Sequence, residues 1–201
     1  MRFGIIKKAV SPTKTKTIVE AEQKNEEISK VEELRPLSPE DFTKLENSLG
    51  YQFSDRLWLE RALTHRSAPQ EGGKNDYERL EFLGDAVFDL SVAHLLSEHH
   101  PEAREGELSK MRAALVNTTS LAQLAKNMNL GSYIRLGRGE IASGGQERPS
   151  ILADVLEATI GAIYYDSGYE VAFGIVKTLF GEQILSVTPR DPKTELQEML
   201  H

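Results

Sequence analysis

Apolar positions in this chain recur at helical intervals, and no stretch alternates convincingly with period two over the length of a strand, so the pattern predicts an all-α fold. Ser38 and Pro39 suit the N-cap and first turn of a helix that ends near Gly50. Asp55 caps another reaching about Thr64, with Phe53, Leu57, Trp58 and Ala62 as its apolar contacts. Residues 105–116 place Leu108, Met111, Ala114 and Leu115 on one side of a helix. Thr118 or Thr119 opens the next, which runs to about Asn127 and is closed by Gly131. After a stop at Gly168, residues 169–186 form the last amphipathic helix. Residues 135–148 are glycine-rich and carry Arg135, Arg138 and Arg148, but they lack the Gly-Lys-Ser/Thr of a phosphate-cradling loop and follow no strand. They are expected to position the helix that follows.

Two further helices carry acids. In residues 77–90, Glu78, Glu81 and Asp85 fall within an arc of about 60°, with Leu80, Leu83, Val87 and Leu90 opposite. The solvated side of an amphipathic helix looks the same. Gly84 weighs against that reading, because an interior glycine costs about 1 kcal/mol of helix stability and implies a close neighbour at that turn. In residues 150–165, Asp154 and Glu157 share a face with Ala158 and Gly161, opposite Leu152, Leu156 and Ile163. Two such helices crossing at their small residues would gather Glu81, Asp85, Asp154 and Glu157 into one oxygen-lined pocket suited to Mg²⁺ or Mn²⁺. Phe82 sits about 40° from Glu78, beside the acids rather than among the aliphatic residues. It packs either on a neighbouring helix or on another molecule.

Composition narrows the setting. At 201 residues and 39% hydrophobic content, the chain suits one globular domain with appended segments. It has no cysteine, which excludes disulfides and thiolate metal sites and fits a cytoplasmic protein. No apolar run approaches a membrane span, and the one at Ile5-Ile6 is too short for a signal peptide, so no membrane partner is expected. The net charge of −7 is unevenly spread: from residue 18 onward 19 bases face 31 acids, giving −12. Residues 1–37 are polar and charged and are expected to form a disordered extension, with a short helix near Asn25 to Leu34. His65 suits a hydrogen-bonded structural role, and His99-His100 suit a helix C-terminus before Pro101.

The segment Glu78-Arg79-Leu80-Glu81-Phe82-Leu83-Gly84-Asp85-Ala86-Val87 resembles the signature of the ribonuclease III family of double-stranded-RNA endonucleases. Thr64-His65-Arg66-Ser67, residues 105–112 and residues 152–158 resemble the family's other motifs, in the family's order. The resemblance implies a homodimeric helical endonuclease domain over residues 38–188. It implies Glu81, Asp85, Asp154 and Glu157 as metal-binding carboxylates, with Asp85 and Glu157 nearest the chemistry and Glu78 and Glu105 as supporting acids. It also implies Mg²⁺, with Mn²⁺ as substitute, and a Phe82 that enters a socket on the partner subunit. The reaction implied is hydrolysis of duplex RNA, as in ribosomal RNA processing, leaving 5′-phosphate and 3′-hydroxyl ends. Residues 189–201 resemble a linker and the start of a double-stranded-RNA-binding domain. Two rival readings stand beside this one: an all-α, Mg²⁺-dependent nucleotide pyrophosphohydrolase, and a non-catalytic RNA-binding or ribosomal protein of the same fold. Intact carboxylates oppose the second.

Overall fold

The computed structural model describes residues 37–69 and 75–188; the expected N-terminal extension and the C-terminal segment that resembles a second domain lie outside it. The described helices are α1 (Pro39–Leu49), α2 (Arg56–Ala62), α3 (Glu78–His99), α4 (Glu105–Leu115), α5 (Thr118–Asn127), α6 (Arg138–Ala142), α7 (Pro149–Ser167) and α8 (Tyr169–Ser186), with 3₁₀ turns at Leu130–Tyr133 and Gly145–Glu147. Among the described residues there is no strand, only a single parallel bridge between Thr64 and Arg135. All of them fall within one compact unit, Pro36–His201.

Local chemistry sets the helix ends. Ser38 Oγ accepts the Asp41 N–H at 3.1 Å while an Asp41 oxygen accepts the Ser38 N–H at 2.9 Å, a reciprocal capping box that starts α1. Asp55 starts α2 by accepting the Leu57 N–H at 3.0 Å. That helix stops at Ala62, short of the expected Thr64, because Thr64 takes up the bridge to Arg135. α5 starts at Thr118, as expected, and Asn117 is its cap, its side chain accepting the Ser120 N–H at 3.0 Å. Closure after α5 falls to Asn129, at φ 54°, and not to Gly131, which lies within a 3₁₀ turn; asparagine tolerates the left-handed region better than other residues with a side chain.

α7 is the axis of the fold. From Ile151 to Ile163 every residue is buried except Asp154 and Glu157. α3 makes the most extensive contact with it, and α5, α2 and α8 cover its remaining sides. α3 buries Leu80, Gly84, Val87, Phe88, Val92, Leu95 and Leu96. Leu90, expected on that core face, is instead 57% exposed. The buried stripe passes through Phe88 and Val92 because α8 packs there, with the Phe88 and Phe180 rings edge to face at 5.9 Å.

The glycine-rich segment is more ordered than a loop, since it holds α6 and a 3₁₀ turn. Two of its three arginines serve the fold. Arg148, at the N-cap of α7, pairs with Glu140 at 2.7 Å, and Arg135 pairs with Glu60 at 2.6 Å. The first pair holds the entry to α7, and the second ties the start of the segment to α2.

Candidate active site

The α3–α7 crossing is as close as backbones allow. A Cβ at Gly84 would collide with the Glu157 carbonyl, and one at Gly161 with the Leu80 carbonyl. Each helix gives up a side chain where the other's backbone passes, which explains why an interior glycine survives in each. Carboxylates one turn from the glycines are thereby pressed together.

Oxygens of Glu81, Asp154 and Glu157 all lie within 4.8 Å of one another. Asp85, grouped with them on sequence grounds, stands outside this trio: its side chain is exposed one turn beyond Glu81. It remains near enough that its charge is the foremost electrostatic influence on Glu157. Glu78 is also exposed and lies 3.4 Å from Arg66. Glu105 occupies the first turn of α4, accepts a hydrogen bond from Ser109 Oγ at 2.9 Å, and is not part of the trio. Phe82 is 80% exposed, beside the acids, so it does not pack within its own described chain.

Repulsion and burial outweigh the nearby positive charge of Arg66 in this cluster. Burial, reinforced by the charges of Asp85, Asp154 and Glu81, pushes the Glu157 carboxyl up to about 8. Burial, reinforced chiefly by Asp154 and Glu78, pushes Glu81 up to about 7. Burial also raises Asp85, with help from Asp89, and raises Asp154 against the opposing hydrogen bond from Tyr77. Among the described residues no lysine or arginine forms an ion pair with any of these four. Acids held this close must keep protons or meet a cation.

His65 takes the structural part expected of it. It is buried, its Nδ1 accepts the Ser67 N–H at 3.1 Å, and burial lowers its basicity. The contribution that sequence reasoning missed is Tyr77, whose phenol reaches Asp154 Oδ2 at 3.4 Å. Burial, with Asp154 and Glu81 nearby, lifts that phenol well above its ordinary range. A tyrosine preceding a helix carries no spacing signal toward a residue 77 positions away.

The helical fold and its oxygen-lined acid cluster define a domain suited to divalent-ion chemistry, and comparison with known proteins gives its family. The family model described as Ribonuclease-III-like matches residues 55–184. Over 173 residues, 81% of this chain and 70% of the relative, the sequence is 48% identical to ribonuclease 3 of Magnetococcus marinus. Over 161 residues, 78% of this chain and 69% of the relative, it is 50% identical to ribonuclease 3 of Pseudomonas aeruginosa. A solved nuclease domain of ribonuclease III from Campylobacter jejuni superposes with a TM-score of 0.67 at 46% identity, covering 72% of this chain and 97% of that one. A second structure of that domain, at TM-score 0.66 and 48% identity over 69% of this chain and 95% of that one, shows structural flexibility in a region involved in dimer formation. The chain belongs to the ribonuclease III family, enzymes that cleave double-stranded RNA. Membership sets aside the pyrophosphohydrolase and non-catalytic readings. No helix among the described residues is long and apolar enough to cross a membrane.

Proposed function

We propose that this chain is a Mg²⁺-dependent endoribonuclease that hydrolyses duplex RNA, including ribosomal RNA precursors, in the cytoplasm. The observation that carries the reading is the trio of half-buried carboxylates at the α3–α7 crossing. Its donors fit the cation: they are all hard oxygens, mutually repelling and without a described basic partner. When bound, Mg²⁺ or Mn²⁺ supplies Lewis acidity that makes water a better nucleophile and stabilises charge on the leaving oxygen. Glu81 and Asp154 would hold the ion from opposite helices. Glu157 belongs to the trio and also feels the charge of the exposed Asp85. Asp85 and Glu157 are assigned to orienting the attacking water at the scissile phosphate. In-line attack then breaks the bond to the 3′ oxygen and leaves a 5′-phosphate and a 3′-hydroxyl. Glu78 and Glu105, which stand outside the trio, are assigned supporting roles.

Cutting both strands needs two such centres, and the proposed assembly is a homodimer in which Phe82 docks on the partner. An aromatic ring 80% exposed beside the acid cluster supports that reading. Incubating the full chain with duplex RNA and with nucleoside triphosphates, with and without Mg²⁺, tests the function. Cleavage of duplex RNA alone, abolished by chelator, is expected. Hydrolysis of triphosphates, or duplex cleavage unaffected by chelator, would refute it.

A further inference from the structure

Tyr77 joins the loop before α3 to the carboxylate trio. Its backbone is held on both sides: the N–H donates to the Thr64 carbonyl at 2.9 Å, and the Tyr77 carbonyl accepts from Leu80 and Glu81 at 2.8 and 2.9 Å. Its ring is 3% exposed and packs against the His65 ring at 5.6 Å. His65 is itself fixed through Ser67, whose Oγ accepts the Gly137 N–H at 2.9 Å. The ring therefore has one orientation, and its hydroxyl points to Asp154 Oδ2 at 3.4 Å. Opposite a carboxylate oxygen, a phenol can only donate.

Asp154 has few other constraints. On α7 its neighbours Ala153 and Val155 are apolar and buried, and the Tyr77 hydroxyl is the only described hydrogen-bond donor to its side chain. A carboxylate on a rigid helix still rotates about its side-chain bonds, and a donor on one oxygen restricts that rotation. Partners that orient metal-binding carboxylates in this way tune ion affinity without touching the ion.

We propose that Tyr77 is a positioning residue for the divalent-ion site, its phenolic O–H holding one oxygen of Asp154 so that the carboxylate stays oriented toward Glu81 and Glu157. This inference rests on the reading that the trio binds the ion. Tyr77→Phe removes one oxygen and leaves the packed ring in place. Calorimetric titration of the full chain with Mn²⁺ should show binding by the natural protein and affinity about 10-fold weaker in Y77F. The Mn²⁺ concentration for half-maximal duplex cleavage should rise by the same factor, while the rate at saturating Mn²⁺ stays within about twofold. Metal-free denaturation should shift only slightly, because the packed ring is intact and only one long hydrogen bond is lost. Unchanged Mn²⁺ affinity in Y77F would overturn the proposal. So would an affinity loss matched by a fall in metal-free stability, which would make Tyr77 a fold residue only. Absence of Mn²⁺ binding by the natural protein would instead overturn the ion site beneath it, and the proposal with it.

Discussion

Glu157→Gln separates the charge of the cluster from its shape. In the metal-free protein the Glu157 carboxyl is raised from 4.5 to about 8, so the folded state holds a proton that the unfolded chain releases. Stability from this group is therefore intact below about pH 4.5 and is lost progressively as the pH rises through 8. At 1.36 kcal/mol per pH unit, full ionisation would cost about 5 kcal/mol. Water reaches this half-exposed cluster, and Glu81 shares the same repulsion, so about 2 to 3 kcal/mol is the expected cost at pH 8.5. Glutamine removes the charge and keeps the volume. Differential scanning calorimetry in chelator should show Glu157→Gln melting about 4 to 12 °C above the natural protein at pH 8.5, with the difference vanishing near pH 4.5. Millimolar Mg²⁺ should stabilise the natural protein more than the variant, and the variant should not cleave duplex RNA. A melting difference that is the same at both pH values would refute the electrostatic argument. Near-natural turnover in Mg²⁺ would refute the assignment of Glu157.

Divalent-ion affinity should rise with pH up to about 8, because Glu81 and Glu157, raised to about 7 and 8, must release protons before binding; titration in buffers of different ionisation enthalpy would count the protons. Phe82→Ala should populate folded monomers and lower double-strand cleavage, since burying an aromatic at an interface is worth about 3 kcal/mol or more; sedimentation at sub-micromolar concentration checks it, and an undisturbed dimer would exclude Phe82 from the interface. Gly84→Ala should destabilise the chain by about 3 kcal/mol or more in urea denaturation and weaken Mn²⁺ binding, because its methyl meets the Glu157 backbone rather than a yielding side chain. With −12 from residue 18 onward, duplex cleavage should fall steeply between about 50 and 200 mM salt, and a flat salt profile would show that phosphate neutralisation does not limit binding.

Much of this protein is written locally. Ser38, Asp55 and Gly168 mark helix boundaries through caps and turn geometry that involve only a few consecutive residues. The same holds for the acid stripes on α3 and α7 and for the meaning of Gly84, since a 3.6-residue period places side chains on a face whatever surrounds the helix. The family motifs are likewise contiguous strings. What only the tertiary structure decided is how faces meet. Periodicity puts Asp85 on the stripe with Glu81, yet the α3–α7 crossing leaves Asp85 outside the trio. Periodicity puts Leu90 with Leu80 and Val87, yet α8 draws the buried stripe through Phe88 instead. The raised carboxyls of Glu81 and Glu157, and the reach of Tyr77 to Asp154, depend on burial and on distances between residues remote in sequence. A helical period fixes direction around one axis; the angle and depth at which two axes cross come from the packing of every side chain between them.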